Sequence, residues 1–154
     1  MSSEKVKKAQ DSILEGASNK DGVLNQALDI QARAAKHGFD WPEIEPVFDK
    51  IAEELDELKQ EVIKAKAQCK TSTAEDLFKR PEIRAEFGDL LFSCLNLSRF
   101  LGVLPQDALQ LTNDKFTSRF QFIEEQLGNQ GTSVSEVPLT QLDQLWELAK
   151  LKEK

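Results

Sequence analysis

The chain has 154 residues, of which 40% are hydrophobic and 31% charged, and its formal net charge is −7. That length suits one domain with a core of its own, and the composition excludes wholesale disorder. The acidic balance argues against tight non-specific nucleic-acid binding, which needs a basic surface.

No apolar run is long enough to span a membrane, and the opening MSSEKVKKAQ lacks the apolar stretch of a signal peptide. Cys69 and Cys94 are far apart and form no metal-type spacing, which favours a reducing cytoplasm. Cys94, inside the apolar run FSCLNL, reads as a small core residue.

Residues 1–20 are polar and weakly patterned and read as an N-terminal arm, with one helical domain over 21–154. A first helix is predicted from about Val23 to His37, with Leu24, Ala27, Leu28 and Ala35 on one face and Gly38 as its stop. GFDWPEIEP is a turn with apolar anchors, in which Phe39 and Trp41 surround Asp40. A second helix follows from about Pro46 to Ala67. QCKTSTAEDLFKRP is a loop with a short helical turn at AEDLF. The third helix spans about Pro81 to Leu101 before Gly102, and the fourth runs from near Pro105 to Gly128. After the loop GNQGTSVSEVP, a last helix is predicted near Thr140 as N-cap, with Asp143 three residues on. No segment has the period-2 alternation of a strand, so the fold class is all-α.

Residues three or four apart share a helix face. On the second helix Val47, Ile51, Leu55, Leu58 and Val62 form the apolar arc, with Glu54, Glu57 and Glu61 in a stripe beside it. Glu54 falls almost inside the arc, where a carboxylate is costly unless paired. On the third helix, apolar residues from Ile83 to Leu101 cover more than half the circumference, and Phe92 and Phe100 lie outside that arc. Such a helix needs cover on several sides, which predicts a homodimer. Glu86, Asp89, Ser93 and Asn96 make its one polar stripe. Acids at i and i+3 on so apolar a helix repel each other, and a hard divalent cation held by oxygen ligands from two helices explains them economically. The plain alternative is a solvated acidic face, which fits Glu53, Asp56, Glu57 and Glu61 better than Glu86 and Asp89. The single histidine, His37, rules against a di-iron carboxylate bundle, and serine-nucleophile and P-loop patterns are absent.

On the fourth helix Lys115 and Arg119 share a side with Ala108, Thr112, Phe116 and Ile123, the expected core-facing side. Two inward cations suit either phosphate recognition or an internal salt bridge. On the last helix Leu142, Leu145, Trp146 and Ala149 form the apolar face, with Lys150 four residues after Trp146.

These residues, in this order, resemble the MazG family of nucleoside triphosphate pyrophosphohydrolases, and look closest to the C-terminal of the two MazG domains in tandem members. The family signature E-E-x-x-E, spacer, E-x-x-D reads here as Glu53-Glu54-Leu55-Asp56-Glu57 and Glu86-Phe87-Gly88-Asp89. GFDWP, GDLLF, NLSRFLG, NDKFTSRF and LDQLWELAK extend the likeness over roughly residues 22–151. The chain departs from the pattern in carrying one such domain, in Ala85 before the E-x-x-D glutamate, and in a long spacer.

The resemblance implies a MazG-like four-helix core with flanking and C-terminal helices, usually dimeric. It implies hydrolysis of NTPs or dNTPs to monophosphate and pyrophosphate, a nucleotide-pool housecleaning activity, with Mg²⁺ as cofactor and Mn²⁺ as substitute. Carried onto this chain, Glu54, Glu57, Glu86 and Asp89 are the implied metal ligands. Lys115 and Arg119 contact the triphosphate, with Asn113, Trp146 and Lys150 completing the substrate site. Glu53 is a candidate acceptor for the proton of an activated water. The rival readings are a non-catalytic dimeric helical-bundle regulator and a related all-α hydrolase restricted to dUTP or dCTP. No nucleic-acid or membrane partner is expected.

Overall fold

The computed structural model describes residues 12–17, 19–68, 73, 76–77 and 79–152. Among them are five α-helices, one 3₁₀ turn and no strand. The helices are α1 (Val23–Lys36), α2 (Glu45–Gln68), α3 (Pro81–Leu101), α4 (Pro105–Asn129) and α5 (Leu139–Lys152), with the 3₁₀ turn at Val134–Glu136. Residues 1–11 of the polar arm, Cys69, and Ala74, Glu75 and Phe78 of the AEDLF turn lie outside the described residues. Within that turn Asp76 and Leu77 are helical. Thr73 and Asp76 form a reciprocal capping box, Thr73 N donating to Asp76 Oδ2 at 3.1 Å and Asp76 N to Thr73 Oγ1 at 3.2 Å.

The helix ends follow local chemistry. Pro81 and Pro105 occupy the first positions of α3 and α4, where a missing N–H costs nothing. α3 ends in a Schellman motif: Gly102 lies at φ 65°, Gly102 N bonds Arg99 O at 3.2 Å, and Val103 N bonds Ser98 O at 2.9 Å. α1 ends the same way through Gly38. The expected stop at Gly128 is corrected. α4 runs on to Asn129, and Gly131 is the residue in the left-handed region, with Thr132 N bonding Leu127 O at 3.1 Å. The expected N-cap at Thr140 is also corrected. α5 begins at Leu139, and Pro138 O accepts from Gln141 N and Leu142 N at 3.0 and 3.3 Å, which puts Thr140 inside the first turn.

The chain divides into two compact units, up to Val103 and from Leu104 onward. In the first, α3 packs against α2 and α1. Its buried residues are Val47 and Ala65 on α2, Leu95 on α3, and three polar ones, Gln31, Glu54 and Ser93. Gln31 Nε2 donates to Phe92 O at 2.8 Å and ties α1 to α3. Cys94, expected in the core, is exposed. It stands on α3 beside the buried Ser93 and Leu95, but faces away from the cover that α1 and α2 supply. Phe87, Leu91 and Leu101 of α3 are exposed as well.

In the second unit α4 packs against α5 and the 3₁₀ turn. Ile123, Leu127 and Leu145 form its core, with Val134, Val137, Leu142 and Trp146 packed around them. No single helix among the described residues is long and apolar enough to cross a membrane.

Candidate metal and nucleotide site

α2 and α3 bring the acids together. Glu54, Glu57 and Glu86 each place one carboxylate oxygen within 4.8 Å of the others. Glu54 is 5% exposed, Glu86 is half-buried and Glu57 is exposed. The signature spacing explains the gathering. Glu54 and Glu57 are neighbours on one face of α2, and Glu86 comes from α3, which packs against α2. Asp89, one turn after Glu86, is outside this trio but lines the same cavity as Glu54.

Lys50, four residues before Glu54, is the residue that sequence reasoning missed. Its Nζ lies 2.6 Å from Glu54 Oε1 and 3.0 Å from Glu53 Oε2. The spacing was legible, since i and i+4 charges of opposite sign meet on a helix. The pairing answers how a carboxylate is tolerated at Glu54. Hydrogen bonds to Glu54 and then Glu53 push the Lys50 ammonium pKa upward, so it stays charged. Glu53, the candidate proton acceptor, is therefore ion-paired. Desolvation, followed by repulsion from Glu54, Glu86 and Glu53, raises the pKa of Glu57. One cation against this many acids leaves net negative charge, and the donor set is all carboxylate oxygen. Both features fit a hard divalent cation such as Mg²⁺.

Beside the acids lies a cavity of about 560 Å³ in the first unit. Phe39, Trp41 and Phe92 line it along with Lys50, Glu54 and Asp89. A second ion pair lines it too. Arg99 Nη1 and Nη2 donate to Asp40 Oδ2 and Oδ1 at 2.9 and 2.6 Å, and this hydrogen-bonded guanidinium holds the Asp40 carboxyl below its usual pKa. The two residues stand 59 positions apart, in GFDWP and NLSRFLG, so no spacing rule announces them.

The remaining predicted residues belong to the second unit. Arg119 is half-buried, with its guanidinium carbon 5.3 Å from the centre of the Trp146 ring. Trp146 also packs against Phe116 at 5.1 Å. Lys150 Nζ is ion-paired with Glu147 at 2.9 Å. Asn113 and Lys115 are exposed. Of the side of α4 expected to face a core, Ile123 is buried and Ala108 and Arg119 are half-buried, while Thr112, Lys115 and Phe116 are exposed.

No protein-family model matches the chain. The nucleoside triphosphate pyrophosphohydrolase/pyrophosphatase MazG of Thermotoga maritima is 43% identical over 128 residues, which is 83% of this chain and 44% of that protein. The nucleoside triphosphate pyrophosphohydrolase of Escherichia coli K12 is 35% identical over 150 residues, 97% of this chain and 53% of that protein. The uncharacterized protein YabN of Bacillus subtilis is 43% identical over 72 residues.

The chain belongs to the MazG family. It spans about half the length of these two MazG relatives. Both halves of the MazG signature, Glu53–Glu57 and Glu86–Asp89, lie on the paired helices α2 and α3.

Proposed function

We propose that this chain hydrolyses nucleoside triphosphates, NTP or dNTP, to nucleoside monophosphate and pyrophosphate, with Mg²⁺ held by Glu54, Glu57, Glu86 and Asp89. The observation that carries the reading is the trio of carboxylate oxygens from two helices within 4.8 Å of one another. The names of the two long-matching relatives point to the same reaction. When bound, the cation supplies charge neutralisation for the triphosphate and lowers the pKa of water.

The chain's own residues set the conditions for this. Repulsion among Glu54, Glu57 and Glu86 makes a cation the favoured occupant. Lys50 fixes one oxygen of Glu54 and leaves the other to a ligand. Lys115 and Arg119 are the proposed triphosphate contacts, and Asn113, Trp146 and Lys150 complete the proposed substrate site. The Arg119 guanidinium already lies over the Trp146 ring.

The same reading has residues 21–154 as one catalytic domain behind the arm 1–20, a cytoplasmic location, and no nucleic-acid or membrane partner. It also has a homodimer, supported by the exposure of Phe87, Leu91 and Leu101 on α3. The test is a panel of NTPs and dNTPs, with Mg²⁺ and with EDTA, read by product identity. Monophosphate plus pyrophosphate in the Mg²⁺ arm is the expected result. Diphosphate plus orthophosphate means a different bond is cut, and no turnover of any nucleotide favours the regulator reading.

A further inference from the structure

We propose that Lys50 is a tethered competitor of the divalent cation: its ammonium group pairs with Glu54 while the acid cluster is empty, and so keeps the cation affinity of the free protein low. This rests on the reading of Glu54, Glu57 and Glu86 as a metal site. Lys50 Nζ lies 2.6 Å from Glu54 Oε1 and 3.0 Å from Glu53 Oε2, on the turn of α2 that precedes them. Glu54 is also one of the three acids whose carboxylate oxygens lie within 4.8 Å of one another. One carboxylate therefore serves two cations, one tethered to α2 and one from solution.

The empty and filled states set the direction of the effect. In the empty cluster three carboxylates repel one another, and the ammonium offsets part of that repulsion. With a divalent cation bound, the repulsion is relieved, and the ammonium instead faces a like charge across the Glu54 carboxylate. An interaction that favours the empty state over the filled one lowers affinity by the difference.

The rival role is that of an orienter, a lysine that aims Glu54 at the cation and so raises affinity. Two observations disfavour it. The Glu54 side chain is only 7% exposed, so packing already fixes its direction. The Lys50 side chain is 35% exposed and reaches Glu53 as well, so it has room to withdraw and a second acid to rest on. What Lys50 adds to Glu54 is charge more than direction.

The test is Mg²⁺ binding without nucleotide, so it does not need turnover. Mg²⁺ is titrated calorimetrically into wild type, Lys50→Gln, Lys50→Met, Lys50→Arg and Lys66→Gln. Lys50→Gln keeps an N–H for Glu54 without the charge, and Lys50→Met removes both. Lys66, exposed in the last turn of α2, controls for net charge alone. Mg²⁺ affinity should rise about tenfold in Lys50→Gln and Lys50→Met. It should stay within about threefold of wild type in Lys50→Arg and Lys66→Gln. Thermal melts read the same balance from the other side and show that each variant is folded. Lys50→Gln should melt below wild type in EDTA, where Glu54 is left buried and unpaired, and the gap should narrow in Mg²⁺. Equal or weaker Mg²⁺ binding by both neutral Lys50 variants overturns the proposal and leaves the metal site standing. So does a melting gap that Mg²⁺ does not change, or an equal rise in affinity for Lys66→Gln. Absence of Mg²⁺ binding by every one of these proteins overturns the metal reading and this proposal with it.

Discussion

The two units of this chain bury different chemistry. Among the described residues, every buried polar side chain is in the first: Gln31, Glu54 and Ser93. The second buries Ile123, Leu127, Leu145 and Ala149, all apolar. A buried polar group costs free energy unless it is bonded, so a fold that keeps three in the lining of one cavity is accepting that cost for a site. The core of the α4–α5 unit is apolar throughout, whereas the α1–α2–α3 unit is arranged around a cavity and a charge.

The largest stability effect should therefore fall in the second unit. Leu127 is 0% exposed within the Ile123–Leu145 core. Leu127→Ala removes buried methyl groups and leaves a cavity, at about 2–5 kcal/mol. Urea unfolding checks it. A loss under 1 kcal/mol would mean that the α4–α5 core is loose and the contrast between the units is false.

In the first unit the expected loss is of function rather than stability. Glu57→Gln removes one of three converging carboxylates, and hydrolysis should fall on the order of 100-fold. In EDTA the variant should melt no lower than wild type, because the repulsion that raises the Glu57 pKa is relieved. With Mg²⁺ at about 100 times its Kd, wild type gains about 2.7 kcal/mol by mass action, and the variant should gain far less. Equal Mg²⁺ responses in thermal melts would place the cation elsewhere.

The helices and the acid cluster were largely legible in the sequence; the division into two units was not. α3 has the predicted bounds because Pro81 and Gly102 act through local backbone chemistry. The end of α4 was misplaced because two glycines compete: Gly128 continues the helix, and only Gly131 takes positive φ. The awkward place of Glu54 in an apolar arc pointed to a buried acid, and its burial confirms that. Asp40 and Arg99 could be seen only as members of two family-like motifs, since their pairing depends on tertiary approach of a turn to α3. Cys94 was misread because apolar neighbours in sequence do not show which side of a helix finds cover.

Two carboxyls of the first unit should titrate with opposite sign. Asp40 has a folded-state pKa below its unfolded value, chiefly through the Arg99 hydrogen bond. Its contribution is present above the unfolded pKa of about 3.9 and is lost as pH falls through the lower folded value. For Glu57 the folded pKa is raised, so its destabilising charge is present at neutral pH and is relieved as pH falls through that raised value. Melts in EDTA from pH 7 to pH 3 should show Asp40→Asn below wild type at neutral pH, by roughly 1 kcal/mol or less, with the gap closing in acid. A gap that widens in acid would reverse the assigned sign.

The smallest expected effect tests what burying polar groups costs the first unit. Gln31 is 7% exposed; its Nε2 donates to Phe92 O at 2.8 Å, and its Oε1 is buried with no partner among the described residues. Gln31→Leu removes a hydrogen bond of about 0.5–1.5 kcal/mol but also removes an orphan acceptor that costs about 1–3 kcal/mol. Phe92 O lies inside the α3 ladder, so losing the amide does not isolate it. The two terms oppose, and the net change should lie within about 1 kcal/mol, on the stabilising side where leucine fills the amide's space. Unfolding in EDTA isolates this balance from the metal site. A loss above about 2 kcal/mol would mean that Oε1 is satisfied, as by a buried water, and that the first unit bears a smaller polar burden than its contrast with the second implies.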